Sequence, residues 1–496
     1  MQSYIAVFDL GKTNKKISIF DLNLNVIDSI KSNCSEYIKD GIHFERIDEI
    51  KAWFFEKLKY FSALYNIGCV SITTHGSTIV AIDKNGNIPL PVVSYTTEPG
   101  EAFHTAFYSQ FGNPDTLQLE TATPPMGCLV NTAKNIYFQK LNFPKQYDNV
   151  YRIINYPQYF SYILTGKISI EPTYLGCHSY LWNFQKLEYS SVAKKLRIIN
   201  KLPDHFSLPW VPLGKVTVEA AENTGLSTET IVLVGVHDSN SSLIPYILKS
   251  KNEFVLNSTG TWCVMMHPVK ELEFKNDEIG KMIFYNLNIY SKPVKTSILM
   301  GGLEYNTWAK IFMQVTGKND VPVFDQAIYN KILKERKLFI TPSIQKGTGQ
   351  FPNSEPCAYQ NGKRYTFSDI LKGIIPSFFK DLKMAYAVLN ISLVIQSQYA
   401  LKRTGMKNNM DLYVEGGFRN NFDYITMLSA LYPKSRVMLT DLREATSFGA
   451  AILGLAGIKG KCPENYSDCI ELKSHLIRKR IFPDMIKYKQ SFEMLL

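Results

Sequence analysis

The pattern of apolar and polar residues predicts that the chain begins with a β-hairpin. Two apolar stretches, 5–8 and 17–20, flank a polar turn containing Gly11, Lys12, Thr13 and Asn14. The first strand would end in an acid, Asp9, and the turn offers backbone N–H groups with short hydroxyl or amide side chains, a composition that suits a phosphate. Turns of this kind also occur in ordinary strand connections, so the hairpin needs partners elsewhere in the chain.

A second hairpin of the same kind is predicted at "NEFVLNSTGTWCVMM" (252–266), where an apolar strand again runs into a Gly/Thr turn. Between the two hairpins, residues 47–67 have the apolar spacing of a helix, and "GCVSITTHG" (68–76) and "TIVLVGVHD" (230–238) are typical of buried strands. We therefore expect an α/β protein of two halves, each of which opens with the same hairpin.

The last third of the chain predicts three further elements. A long helical stretch is interrupted at Pro376. An apolar strand then leads through Gly416 and Gly417 into a helix that opens near Asn420 or Asn421. Residues 440–457 predict a final helix whose small residues permit close backbone packing.

The composition is typical of a folded globular protein, and the length of the chain allows two hydrophobic cores. The chain has 496 residues, of which 45% are hydrophobic and 20% charged. This length favours two domains of about 200 to 250 residues, and we place them at residues 1–247 and 248–496. The sequence shows neither an N-terminal leader nor an apolar run of membrane-spanning length, so we expect a cytoplasmic protein without a membrane partner.

Cysteines and basic residues exclude two other classes of function. The eight cysteines are scattered, with no spacing typical of zinc ligation, and indicate reduced, mostly buried thiols. The formal net charge is +11, yet Lys and Arg form no long run, and the densest patch, 478–490, is typical of a solvated face. We therefore expect no nucleic-acid partner, although the positive field favours anionic phosphate compounds.

Five segments, taken in order, resemble the FGGY carbohydrate kinases. They are "DLGKTNKK" (9–16), "GVHDSNSS" (235–242), "NSTGTWCVM" (257–265), "YVEGGFRNN" (413–421) and "EATSFGAAILG" (444–454). That family belongs to the actin, hexokinase and Hsp70 ATPase-fold group. The resemblance implies two ribonuclease-H-like α/β domains with ATP in the cleft between them. It also implies Mg²⁺, a small-molecule sugar as the second substrate, and an assembly compatible with a homodimer.

The resemblance assigns chemistry to two acids. Phosphoryl transfer requires positioning, charge compensation and a base near the attacking hydroxyl. Asp238 would be that general base, and its alternative is a helix N-cap before "SNSSLIPYIL". Asp9 would hold Mg²⁺ through water, with Asp238 as the second carboxylate at the metal.

Nucleotide contacts are implied on both halves. The first phosphate loop would use Gly11, Lys12, Thr13 and Asn14. The second phosphate loop and the adenosine segment would use Thr259, Gly260, Thr261, Gly416, Gly417 and Asn420. Lys15 and Lys16 are further candidates for phosphate charge, and a solvated hairpin lysine is the alternative.

Sugar contacts are implied for His75, Gly76, Ser77, His237 and Asp238. "HD" at 237–238 and "STGTW" at 258–262 look most like L-fuculose and L-rhamnulose kinases, which implies transfer of the ATP γ-phosphoryl group to a ketose hydroxyl. The loop at 74–78 departs from those enzymes, so a kinase for another ketose or polyol, such as xylulose, is one alternative. A nucleotide-binding regulatory protein on the same fold, without sugar turnover, is the other.

Overall fold

The structure is a computed structural model that describes residues 2–12, 14–275, 277–345, 349–442 and 444–496. Within these residues the strands are, in chain order, β1 (Tyr4–Leu10), β2 (Asn14–Phe20), β3 (Val26–Asn33), β4 (Tyr37–Lys39), β5 (Ile42–Phe44), β6 (Ile67–Thr74), β7 (Ile79–Ile82), β8 (Arg152–Asn155), β9 (Trp182–Asn183), β10 (Glu188–Tyr189), β11 (Pro212–Lys215), β12 (Ile231–Leu233), β13 (Val236–His237), β14 (Phe254–Thr259), β15 (Cys263–Pro268), β16 (Ile283–Leu287), β17 (Pro293–Leu299), β18 (Leu338–Ile340), β19 (Cys357–Gln360), β20 (Lys363–Thr366), β21 (Asp411–Gly416), β22 (Arg436–Thr440) and β23 (Ser474–Leu476).

The α-helices of the same residues are, in chain order, α1 (Ile47–Leu64), α2 (Glu101–Phe111), α3 (Pro114–Thr121), α4 (Thr132–Asn142), α5 (Pro144–Tyr147), α6 (Tyr156–Thr165), α7 (Pro172–Leu175), α8 (Ser191–Lys195), α9 (Val218–Thr224), α10 (Asp238–Lys249), α11 (Gly301–Thr316), α12 (Gln326–Glu335), α13 (Phe367–Leu371), α14 (Leu382–Arg403), α15 (Phe422–Leu431), α16 (Ala445–Lys459) and α17 (Met485–Glu493).

The first sheet has the strand order β11-β12-β6-β1-β2-β3, with β13 also paired to β6. β1, β2 and β3 are antiparallel neighbours, whereas β6 runs parallel to β1 and β12 runs parallel to β6. β1 is buried along almost its whole length because helices cover both faces of the sheet. Helix α1 packs on one face through a stripe of apolar residues: Ile47, Ile50, Phe54, Leu58 and Phe61.

The second sheet repeats the plan of the first. Its order is β16-β17-β15-β14-β21-β22-β23. β14, β15 and β17 are antiparallel neighbours, and β21 and β22 continue the sheet in parallel from β14. Each half thus builds an antiparallel set of strands, starting from a hairpin, and then adds parallel strands to the hairpin's first strand.

Two helices exchange between the sheets. Helix α10, which follows the first sheet, inserts Leu243 and Tyr246 into the apolar cluster under the second sheet. Helix α16, which follows the second sheet, packs Ile452 and Leu453 into the cluster beneath β1 and β6. Where the helices cross, a Cβ on Gly449 would lie 1.9 Å from the backbone oxygen of Ser241, so this close contact requires glycine.

These elements confirm the α/β class, the two sheet-containing halves and the hairpin that opens each half. The helical stretch broken at Pro376 is confirmed as α13 and α14, and Asn421 caps α15 by accepting the N–H of Tyr424. The boundary at 247–248 falls inside α10 and stays a prediction. No helix among the described residues is both long and apolar enough to cross a membrane.

Candidate active site

Three parallel strands of the first sheet end side by side and carry the predicted catalytic side chains. On β6, Thr73 pairs with Asp9 of β1 on one side and with Val236 of β13 on the other. His75 follows β6 directly, and Asp238 follows β13 as the first residue of α10. Because ligands of open α/β sheets bind beyond the carboxyl ends of parallel strands, this edge is the candidate active site.

Asp238 lies at the N-terminus of α10 with a side chain that is 29% exposed. Its carboxylate accepts a hydrogen bond from the backbone N–H of Ser239 at 2.6 Å. Desolvation raises the pKa of Asp238, and the nearby imidazole of His75 opposes that shift. His237 occupies the N-cap position, so the alternative in which Asp238 caps the helix does not describe this geometry.

Asp9 contacts the second half of the chain through α16. It accepts a hydrogen bond from the Ser447 hydroxyl at 2.7 Å, and the Lys16 ammonium lies 4.0 Å away. Burial raises the pKa of Asp9, Lys16 opposes the shift, and the charge of Asp238 adds to it. Mg²⁺ prefers carboxylate oxygens, and a divalent cation relieves repulsion between two carboxylates. Asp9 and Asp238 therefore fit the predicted magnesium ion.

Lys12 of the first turn is engaged by two carboxylates. Its ammonium lies 2.5 Å from Glu36 and 2.7 Å from Glu45, and it also donates to the Ser94 hydroxyl. Although burial opposes the change, hydrogen bonds led by that from Lys12 lower the pKa of Glu36 to about 2. The Lys12 ammonium is thus paired within the first half, and its predicted phosphate contact stays a prediction.

Lys15 supports the first turn from the buried side. Its side chain is almost fully buried, and its ammonium donates to the carbonyl of Lys12 at 2.8 Å and to that of Gly11 at 3.1 Å. Burial lowers the pKa of Lys15, and Glu45 opposes that shift. Asn14 is exposed at the start of β2, whereas Thr13 lies outside the described residues. Lys15 therefore binds the Gly11 and Lys12 carbonyls from the buried side of the turn.

The second predicted phosphate loop lies where β14 and β21 end together. Thr259 pairs in register with Gly416. The Thr259 hydroxyl donates to the Glu415 carbonyl and accepts the Phe418 N–H at 3.0 Å, which joins the two turns. Thr259 is buried in this way, and its predicted nucleotide contact stays a prediction. Its neighbours Gly260 and Thr261 are exposed.

Gly416 has a backbone conformation that its position requires. Its φ is +80°, and a Cβ there would lie 2.0 Å from the backbone oxygen of Thr259. Any other residue would force the strand-to-helix turn away from the second loop. Gly416, Gly417 and Asn420 are all exposed on this turn, as a nucleotide-binding surface requires.

The predicted sugar side is a group of buried polar residues around Gly76. His75 Nε2 lies 3.8 Å from Glu45, and burial lowers the pKa of His75 to about 4, so the ring is neutral at pH 7. A Cβ on Gly76 would lie 2.9 Å from His237 Nε2 and 3.1 Å from His178 Cε1. The missing side chain thus leaves space between two imidazoles beside Asp238.

Four residues that the sequence analysis did not single out complete the site. Ser77 Oγ lies 3.2 Å from His178 Nδ1, Glu45 links Lys12 to His75, and Ser447 holds Asp9. Cys177 lies 3.7 Å from His237 Nε2. No local signal in the sequence marks Glu45, Cys177, His178 or Ser447, because each lies 30 or more positions from the partner named here.

Comparison with known proteins gives consistent matches over most of the chain. The model of the FGGY family of carbohydrate kinases, N-terminal domain, matches residues 4–245, and that of the carbohydrate kinase FGGY, C-terminal domain, matches residues 251–461. A rhamnulokinase from Bacteroides thetaiotaomicron is 25% identical over 202 residues. This stretch covers 40% of the present chain and only 40% of that curated relative.

Solved structures are similar over the whole chain. A carbohydrate kinase from Novosphingobium aromaticivorans has a TM-score of 0.80 at 24% identity, with 99% of this chain and 98% of that chain covered. A ligand-bound xylulose kinase from Lactobacillus acidophilus has a TM-score of 0.79 at 14% identity, with 99% and 97% covered. At these identities the likeness shows the two-domain fold alone. Together with the two family models, which cover most of its length, it shows that the chain belongs to the FGGY family of carbohydrate kinases.

Proposed function

We propose that this protein is an ATP-dependent carbohydrate kinase that transfers the γ-phosphoryl group of ATP to a ketose hydroxyl, with Mg²⁺ as cofactor. The observation that carries the proposal is the position of Asp9 and Asp238 at the carboxyl ends of β1 and β13, the two strands that flank β6, beside the two histidines around Gly76. Because the chain belongs to the FGGY family of carbohydrate kinases, phosphoryl transfer is the simplest function for the residues at these strand ends.

In this proposal Asp238 accepts the proton of the attacking sugar hydroxyl. The sugar oxygen forms a bond to the γ-phosphorus, the bond from that phosphorus to the β–γ bridging oxygen breaks, and ADP leaves. The raised pKa of Asp238 makes its carboxylate a stronger base than an exposed aspartate. Mg²⁺, held by Asp9 and Asp238, supplies charge compensation for the phosphates when bound.

The two halves have separate tasks in this proposal. Residues 1–247 hold the sugar through His75, Gly76, Ser77 and His237 and carry the first phosphate turn. Residues 248–496 carry the second turn at Gly260 and Thr261 and receive adenosine against the exposed surface at Gly416, Gly417 and Asn420. The Asp9–Ser447 hydrogen bond, which connects the halves at the proposed metal, supports this division.

L-Rhamnulose and L-fuculose are the proposed sugars. Support comes from the matched curated relatives, which are named rhamnulokinases, and from the "HD" and "STGTW" segments of the sequence. Neutral imidazoles near Asp238 are suitable partners for sugar hydroxyls, since burial lowers the pKa of His237 to about 3.

A panel of ketoses and polyols, measured for sugar-dependent ADP release, tests the proposal. The panel contains L-rhamnulose, L-fuculose, xylulose, gluconate and glycerol, with a sugar-free reaction as blank and Asp238→Asn as a second blank. We expect release with L-rhamnulose or L-fuculose. Release only with another member would replace the proposed sugar, and ATP binding without release across the whole panel would favour the regulatory alternative.

A further inference from the structure

Cys177, His178 and His237 form a compact group of side chains beside Asp238. One sulfur and one nitrogen from each histidine all lie within 4.8 Å of one another. Cys177 and His237 are buried, and the Cys177 sulfur lies 3.7 Å from His237 Nε2. Zn–S and Zn–N bonds of about 2.3 and 2.0–2.1 Å in a tetrahedron place sulfur and nitrogen roughly 3.6 Å apart. The observed separation is thus that of two ligands on one zinc ion.

One histidine has the second contact that orients a metal ligand, and the other can gain it by the turn of one amide. His178 Nδ1 donates to the carbonyl oxygen of Val130 at 3.2 Å, which leaves Nε2 for another ligand. His237 Nδ1 accepts from the amide nitrogen of Asn240 at 3.3 Å, and Asn240 Oδ1 has no partner among the described residues. If zinc binds His237 Nε2, the Asn240 amide turns so that Oδ1 accepts the Nδ1 proton.

The fold holds the three residues together from two distant segments. Cys177 and His178 follow the short helix α7, and His178 has a φ of +39°. The Thr173 hydroxyl in α7 accepts the backbone N–H of His237 at 3.0 Å, which fixes α7 against the end of β13. Since 60 positions separate Cys177 from His237, the sequence contains no zinc-ligand spacing even though the structure assembles the ligands.

Asp238 lies beside the group without belonging to it. Its Oδ1 lies 3.4 Å from His237 Nε2 but is not one of the ligand atoms that lie within 4.8 Å of one another. Cys177, His178 and His237 thus supply three ligands and leave the fourth position of a tetrahedral zinc ion open. A Cβ on Gly76 would lie 2.9 Å from His237 Nε2, so the glycine leaves that nitrogen open to approach.

We propose that Cys177, His178 and His237 form a Zn²⁺ site beside the proposed magnesium ligand Asp238, and that zinc bound there inhibits sugar turnover. Zinc binding displaces the proton of the Cys177 thiol to solvent and forms a zinc–thiolate bond. Zinc would also occupy the His237 imidazole, which is a proposed sugar contact. Mg²⁺ does not compete for a thiolate and two imidazoles, because it prefers oxygen ligands. The inhibitory part rests on the proposed function, whereas the binding part does not.

Cobalt absorption tests the binding part without nucleotide, sugar or turnover. The wild-type protein is titrated with Co²⁺ in excess Mg²⁺, and we expect a thiolate-to-cobalt charge-transfer band together with the visible bands of tetrahedral cobalt. Added Zn²⁺ should abolish both. Absence of the charge-transfer band in the wild-type protein would by itself overturn the site, whatever the variants do.

Substitutions of two cysteines test whether Cys177 is the thiolate ligand. Cys177→Ser should lose the charge-transfer band and weaken Zn²⁺ binding by at least about tenfold, since loss of even an outer-shell partner of a metal ligand costs 10- to 100-fold. Cys69→Ser is the matched control, because Cys69 is buried in β6 of the same sheet without belonging to the group. If Cys177→Ser does not fold, Cys177→Ala replaces it. A band that survives in a folded Cys177 variant, or disappears in Cys69→Ser, would contradict the assignment.

Inhibition is measured last, on the sugar that the panel identifies, with each variant compared with its own zinc-free rate. Zn²⁺ should inhibit the wild-type protein and Cys69→Ser at concentrations that leave Cys177→Ser active. Equal inhibition of all three would refute the inhibitory part while the cobalt result stands. Failure of the whole panel would refute the proposed function and leave the zinc site decided by absorption alone.

Discussion

At the residue scale, Asp238 is the side chain on which turnover depends most in the proposed mechanism. Asp238→Asn keeps the size of the side chain and removes both its charge and its ability to accept a proton. Removal of a general base costs about 10² to 10⁴ in rate, so kcat should fall by that factor, while ATP affinity changes far less because the nucleotide turns are untouched. Steady-state kinetics and a nucleotide-binding titration measure both.

A matched control for this substitution is Asp48→Asn, which also removes an acid from the first turn of a helix. Asp48 is exposed on α1, so its loss should leave kcat unchanged. The Asp238→Asn protein should unfold at the same or a higher temperature, because desolvation raises the pKa of Asp238 and its charge therefore costs stability at pH 7. A folded Asp238→Asn protein with more than about a tenth of wild-type kcat would exclude the base role.

Glu415 should make stability depend on pH. Burial raises its pKa from 4.5 to about 7, and the hydroxyl of Tyr246 donates to it at 2.7 Å. A pKa raised in the folded state gives stability that is complete below 4.5 and is lost as the pH rises through 7. Glu415→Gln keeps an acceptor for Tyr246 and does not titrate. Its unfolding temperature relative to wild type should therefore rise between pH 4.5 and 8.

Thermal unfolding at a series of pH values checks this, with the exposed Glu471→Gln as control. The control should differ from wild type by the same small amount at every pH. A Glu415→Gln difference that is equally flat would show that Glu415 does not titrate in the folded protein over this range.

The ion pairs of Lys12 show what a sequence does not reveal about a single residue. Turn composition placed Lys12 in a polar loop, but its partners Glu36 and Glu45 lie 24 and 33 positions away. Burial and ion pairing of this kind depend on tertiary contacts, which local patterns do not contain. His178 was missed for the same reason, since Ser77, its nearest partner in the site, lies 101 positions earlier.

At the element scale, the apolar and polar patterns of the sequence predicted more of the structure than they did for single residues. Both hairpins, helix α1, the break at Pro376 and the cap of α15 follow from local spacing and turn chemistry, which act over a few residues. The order of the strands within each sheet depends on long-range pairing, and it was available only through the family resemblance.

The first turn depends on Lys15 as a support from the buried side. Lys15→Met keeps the length of the side chain but removes the ammonium that binds the carbonyls of Gly11 and Lys12. A hydrogen bond to a charged group contributes about 1.5–3 kcal/mol, so we expect the KM for ATP to rise roughly tenfold or more if the turn loses its shape. Steady-state kinetics with varied ATP give this value.

Lys31→Met is the control, because Lys31 lies on the neighbouring strand β3 with a side chain that is 64% exposed. It should leave the KM for ATP within about twofold, since an exposed ion pair contributes at most about 1 kcal/mol. An unchanged KM in Lys15→Met would mean that the first turn keeps its shape without the ammonium.

Helices α10 and α16 cross so closely that Gly449 should tolerate no side chain. A Cβ there meets the Ser241 backbone oxygen at 1.9 Å, which no rotamer change relieves. Overpacking of this kind costs about 1–3 kcal/mol or more, against a helix-propensity gain of about 1 kcal/mol, so Gly449→Ala should lower the free energy of unfolding. Denaturant unfolding measures the change.

Gly457→Ala in the same helix is the comparison. Its Cβ would lie 2.8 Å from the end of the Leu233 side chain, which can move, and 3.2 Å from the Trp210 backbone oxygen, well beyond the 1.9 Å contact at Gly449. Gly457→Ala should therefore lower the free energy of unfolding clearly less than Gly449→Ala. Equal losses would contradict the claim that the close backbone contact of α10 and α16 requires glycine at 449.

At the scale of the whole molecule, the exchanged helices are the physical connection between the two halves. Helix α16 carries Ser447, which binds Asp9, and Glu444 just before the helix lies 2.7 Å from Lys16, so the second half reaches the proposed metal ligand of the first. The proposed adenosine surface at Gly417 and the proposed sugar side at His75 lie at the ends of different sheets. A kinase built this way must bring the two surfaces together to exclude water from the transfer.

Binding of both substrates should therefore draw the halves inward. Small-angle scattering of the protein with a non-hydrolysable ATP analogue, Mg²⁺ and the sugar identified by the panel should give a smaller radius of gyration than the protein alone. The sugar alone should give less compaction than both ligands together, because it contacts mainly the first half. Asp238→Asn with the same ligands provides a matched test, since it should close without turnover. A radius of gyration unchanged by both ligands together, in wild type and in Asp238→Asn, would mean that the two halves do not close, and water would have to be excluded by local loop movement instead.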